Sequence, residues 1–271
     1  MTVKVVLARR ASPAWQGLAV DYETDGFIAA ERYFPFHDTR FDRRIPQFIE
    51  RWNVLSRVSY FACRAELCAI ANENLARVEG AVRVDSLQIS DIVNNLPPDD
   101  MLLFYHDDDD WFSPDLGAYV ASININLVDA VVFPFVRLAS NVTTFTVTGS
   151  MAADGVGKAE AFRYRYCTNN HGLTRRALLK CPDLVEHTDA SRAAETLGFV
   201  DLHLDRIISV TSKTPCSASW LSQLPESRTG FAKYISRYIE ILESIVIPPG
   251  LCWAEQPLRR TLDLFRKVNR A

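Results

Sequence analysis

The run His106-Asp107-Asp108-Asp109-Asp110-Trp111-Phe112-Ser113-Pro114-Asp115 holds the residues of this chain best suited to chemistry. Its four consecutive carboxylates follow directly on the apolar segment Met101-Leu102-Leu103-Phe104-Tyr105. Unit charges about 6 Å apart repel by roughly 2–3 kcal/mol at an effective dielectric near 20. Such a run therefore needs open solvent or a bound cation to offset the repulsion. On extended backbone side chains alternate, which sends Asp107 and Asp109 to one side and Asp108 and Asp110 to the other. Hard cations such as Mg²⁺ or Mn²⁺ take one or two carboxylates together with substrate phosphates and water. The run thus points to a divalent-metal site of the nucleotide-diphosphate kind. A solvated acidic turn capping the next helix is the plainer alternative. The buried-looking strand before the run and the Trp-Phe-Ser-Pro segment after it speak against that alternative.

The elements that must position these residues can be read from apolar periodicity. Val3 to Leu7 is a compact β-branched run that predicts a first buried strand, ending at Arg9 and Arg10. A helix is expected from about Pro46, with Phe48, Ile49, Trp52 and Leu55 on one face. Residues 64–79 predict a second helix, Ala81 to Val84 a short strand, and Ser113-Pro114-Asp115 the start of a helix carrying Leu116, Tyr119 and Val120. Further on, Ala130 to Leu138 and Asn141 to Gly149 are β-rich and predict paired strands, Met151 to Gly157 a loop, and Phe162 to Cys167 another strand. Thr174 heads a helical turn, and Ser227 caps an amphipathic helix through Phe231, Tyr234, Ile235, Tyr238 and Leu242. A last helix runs through Leu258, Leu262, Phe265 and Val268.

Strands and helices that interleave early and a β-richer section after them predict an α/β fold: a central, mainly parallel sheet flanked by helices, a mixed β-rich second half and C-terminal helices. One domain is expected, with residues 1–120, 121–225 and 226–271 as its successive parts. The chain has 271 residues, 48% hydrophobic and 23% charged, an ordinary globular composition. A net charge of −3 gives no basic field for nucleic acid. The six cysteines form no CxxC pair and read as scattered thiols of a reducing compartment. No signal peptide or membrane span is expected, which predicts a cytoplasmic protein. Neither GxxxxGK[ST] nor a GxGxxG after the first strand occurs, and the aspartate spacing lacks the Gly and terminal Glu of an EF-hand loop.

The stretch from Asp100 to Asp115 resembles the strand, DxD and Pro-Asp segment of GT-A-fold nucleotide-sugar glycosyltransferases, in the version with an Asp-x-Asp-Asp core. The resemblance lays Asp107, Asp109 and Asp110 on the family's positions and implies a GT-A-like, Rossmann-like fold. It implies that Asp109, with Asp107, holds Mn²⁺ or Mg²⁺ on the donor diphosphate, that Asp107 also contacts the ribose or donor sugar, and that Asp110 supports them. Cys167-Thr-Asn-Asn-His-Gly-Leu-Thr-Arg-Arg is similar to a turn and Arg-bearing helix that line the donor–acceptor cleft, which makes Asn169, Asn170 and His171 sugar-contact candidates. Trp111, beside the acidic run, joins them as a substrate-binding candidate. Gly198-Phe-Val-Asp-Leu-His-Leu-Asp resembles the acid pair that opens a helix in inverting members and makes Asp201 the candidate general base, although Val200 stands where the family usually has an acid.

Among the basic residues, Lys213 and Arg9 are candidates to neutralise the departing diphosphate. Hexosyl transfer from a nucleotide-sugar to a saccharide or lipid-linked saccharide acceptor, in polysaccharide or glycoconjugate synthesis of the bacterial type, is the function implied. The basic C-terminal helix, with Arg259, Arg260, Arg266, Lys267 and Arg270, could touch the inner face of a membrane or simply face solvent. A metal-dependent nucleotidyl or phosphoryl transferase, and a non-catalytic carbohydrate- or cation-binding module, are the alternatives the residues leave open.

Overall fold

Two strands whose side chains are buried on both faces form the centre of the fold, β1 (Lys4–Arg9) and β3 (Met101–His106). Val5, Val6, Leu7 and Ala8 are all sealed from solvent, as are Leu102, Leu103 and Phe104, the pattern of strands covered above and below. The computed structural model describes residues 3–9, 45–84, 100–106, 110–138, 152–154, 166, 170–181, 187–217 and 224–271. Within them β1 and β3 join β2 (Ala81–Val84), β5 (Ala130–Val132), β8 (His171–Thr174) and β9 (Asp201–His203) in a six-stranded sheet of order β2-β1-β3-β8-β5-β9.

In that sheet β1 pairs in parallel with β2 and β3, and β5 with β9, whereas β8 is antiparallel to both β3 and β5. Five strands therefore share one direction, as a mainly parallel sheet requires, and β8 opposes them and makes the sheet mixed. A second sheet of order β4-β10-β6-β7 is built from β4 (Asp110–Phe112), β6 (Phe135–Leu138), β7 (Ala152–Asp154) and β10 (Ser209–Ser212). The chain visits this sheet through β6 and β7 before β8, and it comes back into the first sheet from the carboxyl ends of its neighbours. That return sets the direction of β8.

One face of the six-stranded sheet carries Val6, Leu103, Tyr105, Val132 and Leu173 against α4 (Arg175–Lys180) and α5 (His187–Thr196). The other carries Val5, Leu7, Leu102, Phe104 and Val131 against α3 (Leu116–Ala121), Leu75, Phe112 and Ile208. A third core packs the inner side of the second sheet, through Trp111, Val136, Leu138 and Val210, onto α1 (Ile45–Leu55), α2 (Tyr60–Leu75), α6 (Arg228–Glu243) and α7 (Glu255–Arg270). Edge-to-face aromatic contacts concentrate there, with Trp52 4.9 Å from Phe231 and 5.8 Å from Tyr60.

Several sequence expectations are corrected by this arrangement. The second helix starts at Tyr60, because the Ser59 hydroxyl accepts the Ala62 amide at 3.1 Å, and it ends at Leu75, short of Glu79. Ala130 to Leu138 splits at Pro134 into two strands of different sheets, since proline has no amide for a ladder. Ala152–Asp154, expected within a loop, is strand β7, paired antiparallel with β6. Asp201 opens β9 and not a helix: Gly198, at φ +61°, closes α5 with the Phe199 amide donating to the Ala194 carbonyl, and the chain leaves extended. The strands expected at 141–149 and 162–167 lie outside the described residues, Tyr166 excepted.

The apolar stripe of the basic C-terminal helix is used inside the protein, where Leu258, Leu264, Phe265 and Val268 are buried against the helical core. Three of its four arginines are paired, Arg259 with Glu255, Arg260 with Glu73 and Arg266 with Glu243 and Asp263. The stripe that would face a membrane is thus already covered. Among the described residues no helix is long and apolar enough to cross a bilayer.

Candidate functional site at the junction of the two sheets

The acidic run is the link between the sheets. His106 is the last residue of β3, and Asp110, four positions on, is the first of β4. Because β1, β2, β5 and β9 run in the direction of β3 and only β8 opposes it, this crossover stands at the carboxyl edge of the parallel strands, where open α/β sheets take their ligands. Arg9 ends β1 at the same edge, in register with His106.

The far end of the run is anchored with care. Asn74, buried on α2, accepts the Phe112 amide at 2.7 Å and donates to the Phe112 carbonyl at 3.1 Å. Phe112 packs edge-on to Phe104 at 6.0 Å and to His106 at 6.3 Å. Trp111 points the opposite way into the helical core, 2% exposed, so its indole is closed to a sugar in this arrangement. Beyond the strand, Asp115 accepts hydrogen bonds from Ser113 and Arg206. Burial would raise its pKa, but those two partners outweigh it and hold the carboxyl below its ordinary value.

Asp110 itself is fully buried and receives a hydrogen bond from the Thr211 hydroxyl at 2.9 Å. The two residues are register partners in the antiparallel pair β4–β10. From Thr211 the chain continues through buried Ser212 to half-buried Lys213, at the end of the pair where the acidic run enters β4. The Lys213 carbonyl is held by the Tyr238 hydroxyl at 3.3 Å. Asp110, Thr211 and Lys213 thus come together from positions a hundred residues apart in the chain. Thr211 carried no signal in the sequence, because a lone threonine in a β-rich segment reads as strand propensity.

Asn170 and His171 start β8 at this same edge, both buried, with Asn170 Oδ1 3.2 Å from His171 Nδ1. A Cβ on the next residue, Gly172, would come within 2.5 Å of the Leu102 side chain, so glycine lets β8 lie close on β3. The His171 ring stacks on Tyr166, 4.6 Å between centroids and 19° between planes. The Tyr166 hydroxyl in turn donates to Asp201 Oδ1 at 2.8 Å. The Asp201 side chain is 2% exposed, and its second oxygen lies 3.9 Å from Nε2 of half-exposed His203. Asp201 and His171 are therefore joined through Tyr166, a link that their separation in sequence concealed.

Asp107, Asp109 and Asn169, and the Arg9 side chain, lie outside the described residues. Among the described residues no three His, Cys, Asp or Glu side chains converge as a metal set. The oxygen-only donors of the run itself suit a hard divalent cation and suit Zn²⁺ or copper less well. Neither protein-family models nor characterised proteins give a match to this chain.

Proposed function

We propose that the chain is a metal-dependent glycosyltransferase that moves a hexosyl group from a nucleotide-sugar to a hydroxyl of a saccharide or lipid-linked saccharide. The observation that carries this reading is the placement of the acidic run: it crosses between the sheets at the carboxyl edge, with Asp110 locked by Thr211 at its end. In this reading Asp109 and Asp107 hold Mn²⁺ or Mg²⁺ on the donor diphosphate, and the bound cation supplies charge neutralisation for the leaving group. Asp110 keeps the run in place and Asn74 keeps β4 in place. Arg9 and Lys213 bring positive charge to the same edge, where charge develops on the departing diphosphate. Asn169, by its place in the chain, is the sugar contact of this turn; Asn170 and His171 are as buried as Trp111 and would reach the sugar only if the turn opened.

Asp201 is the base candidate on the acceptor side. Its Oδ1 accepts the Tyr166 hydroxyl, so an acceptor hydroxyl would either displace that bond or bond another lone pair of the carboxylate before it gives up its proton. Tyr166→Phe should remove that one bond and Asp201→Asn should abolish transfer, with donor binding kept in both.

Thermal shift in the presence of nucleoside diphosphates tests the donor half. Stabilisation is expected with diphosphate and Mn²⁺ together, and much less with either alone. Asp109→Asn should remove the metal-dependent part, and Lys213→Ala should weaken diphosphate binding by about tenfold, the size of one charge-assisted contact. Failure of every nucleoside diphosphate to shift the transition would overturn the reading. Hydrolysis of nucleoside triphosphates in preference to sugar-nucleotides would turn it toward nucleotidyl transfer.

A further inference from the structure

The turn that carries Lys213 continues into Thr214-Pro215-Cys216-Ser217, all four of them buried. It is cross-braced: the Thr214 amide donates to Ser217 Oγ at 3.0 Å, the Cys216 amide to Thr214 Oγ1 at 3.2 Å, and the Ser217 amide to the Thr214 carbonyl at 2.8 Å. The Cys216 carbonyl receives the Tyr60 hydroxyl at 2.9 Å and Arg64 Nη1 at 3.4 Å, both from α2. Between these braces lie two thiols from distant parts of the chain. Cys216 Sγ is 3.3 Å from Cys63 Sγ, and both side chains are completely buried.

We propose that Cys63 and Cys216 close into a disulfide when the protein meets a hydroperoxide, tying α2 to the turn that bears Lys213. Closing the bond would bring the two sulfurs from 3.3 Å to the roughly 2 Å of a disulfide. In the first step one thiol loses its proton and attacks the peroxide O–O bond, giving a sulfenic acid and releasing, with that proton, one water from hydrogen peroxide or the alcohol from an organic hydroperoxide. The second thiol then attacks that sulfur, its proton leaves with the hydroxyl as water, and the S–S bond forms. Two thiols are oxidised by two electrons and one peroxide is reduced.

Burial pushes the Cys216 thiol well above its ordinary range, and the neighbouring Cys63 adds to that. The resting Cys216 thiol therefore stays protonated, and oxidation proceeds through brief opening of the turn, which makes it slow. The inference rests on the thiol geometry and is independent of the transfer chemistry.

The test uses the full chain with Cys252→Ser, which removes the exposed thiol and leaves five of the six cysteines. After hydrogen peroxide treatment at low protein concentration, alkylation in denaturant should label three, and peptide mapping should find Cys63 joined to Cys216. The oxidised form should melt about 5 °C higher, because the bond closes a long loop. Cys216→Ser should fold and show no linked peptide. Labelling of all five after prolonged oxidation, a different pairing, or a lowered melting point on cross-linking would each overturn the proposal; because the mapping is done with Cys63 and Cys216 both present, it holds even if Cys216→Ser fails to fold.

Discussion

Asp129 and Asp110 are both fully buried, at opposite edges of the six-stranded sheet, and their surroundings differ in kind. Asp129 stands at the amino end of β5. Lys180 Nζ lies 2.8 Å and Arg176 Nε 3.1 Å from its Oδ1, and the Val200 amide donates to its Oδ2 at 2.9 Å. Its own carbonyl accepts both the amide and the hydroxyl of Thr174, the cap of α4. Every bond there joins β5 to α4 or to the start of β9. Asp110 stands at the carboxyl side, next in sequence to three further acids, and takes a hydroxyl from Thr211. A carboxylate matched by two cations is an anchor between elements, whereas one that ends a run of four acids and takes a strand partner's hydroxyl ties that run to β10.

The first way to break this comparison is at the amino edge. Asp129→Asn should cost about 2–3 kcal/mol in urea unfolding, below the figure for a fully buried pair because Arg176 and Lys180 are partly in solvent. Burial works to raise the Asp129 pKa, but Lys180, the Val200 amide and Arg176 prevail and leave it lowered. The unfolded chain thus binds the proton more readily than the folded one. The stabilisation is present above the unfolded carboxylate value near pH 4 and is lost as pH falls below it. Asp129→Asn should flatten this acid limb; an unchanged limb would show that Asp129 is not the anchor. Diphosphate binding should survive the substitution.

A smaller effect is expected at the carboxyl edge. Asn74→Ala removes both hydrogen bonds to Phe112 and should cost about 2 kcal/mol. Unlike Asp129→Asn, it should also weaken metal-dependent diphosphate binding several-fold, since β4 fixes the end of the acidic run. Smallest in stability is Thr211→Val, about 1 kcal/mol, with a loss of metal-dependent binding as large as that of Asn74→Ala. Equal binding in wild type and Thr211→Val would mean that Asp110 needs no hydroxyl to keep the run in place, and the contrast with Asp129 would fail.

Much of the fold was legible before the structure. Local rules governed β1, β3, the helix capped by Ser227 and the short helix capped by Thr174, because period, cap and turn chemistry agree there. The misread segments are those where pairing decides. Ala152–Asp154 is a strand only because β6 lies beside it, and Asp201 begins a strand because β5 offers a parallel edge. At the site, the acidic run announced itself by charge repulsion alone. Trp111 did not, since an aromatic beside acids looks alike in a sugar cleft and in a core.

The sequence by itself determined that four carboxylates follow a buried strand and that amphipathic helices close the chain, because charge density and apolar period are local properties. Only the tertiary structure decided that the acidic run bridges two sheets, that Thr211 meets Asp110, that Tyr166 joins His171 to Asp201, and that Cys63 meets Cys216. These partners lie between 5 and 153 residues apart. Their meeting depends on strand register and sheet order, which are set by the packing of the whole chain and leave no mark on any single segment.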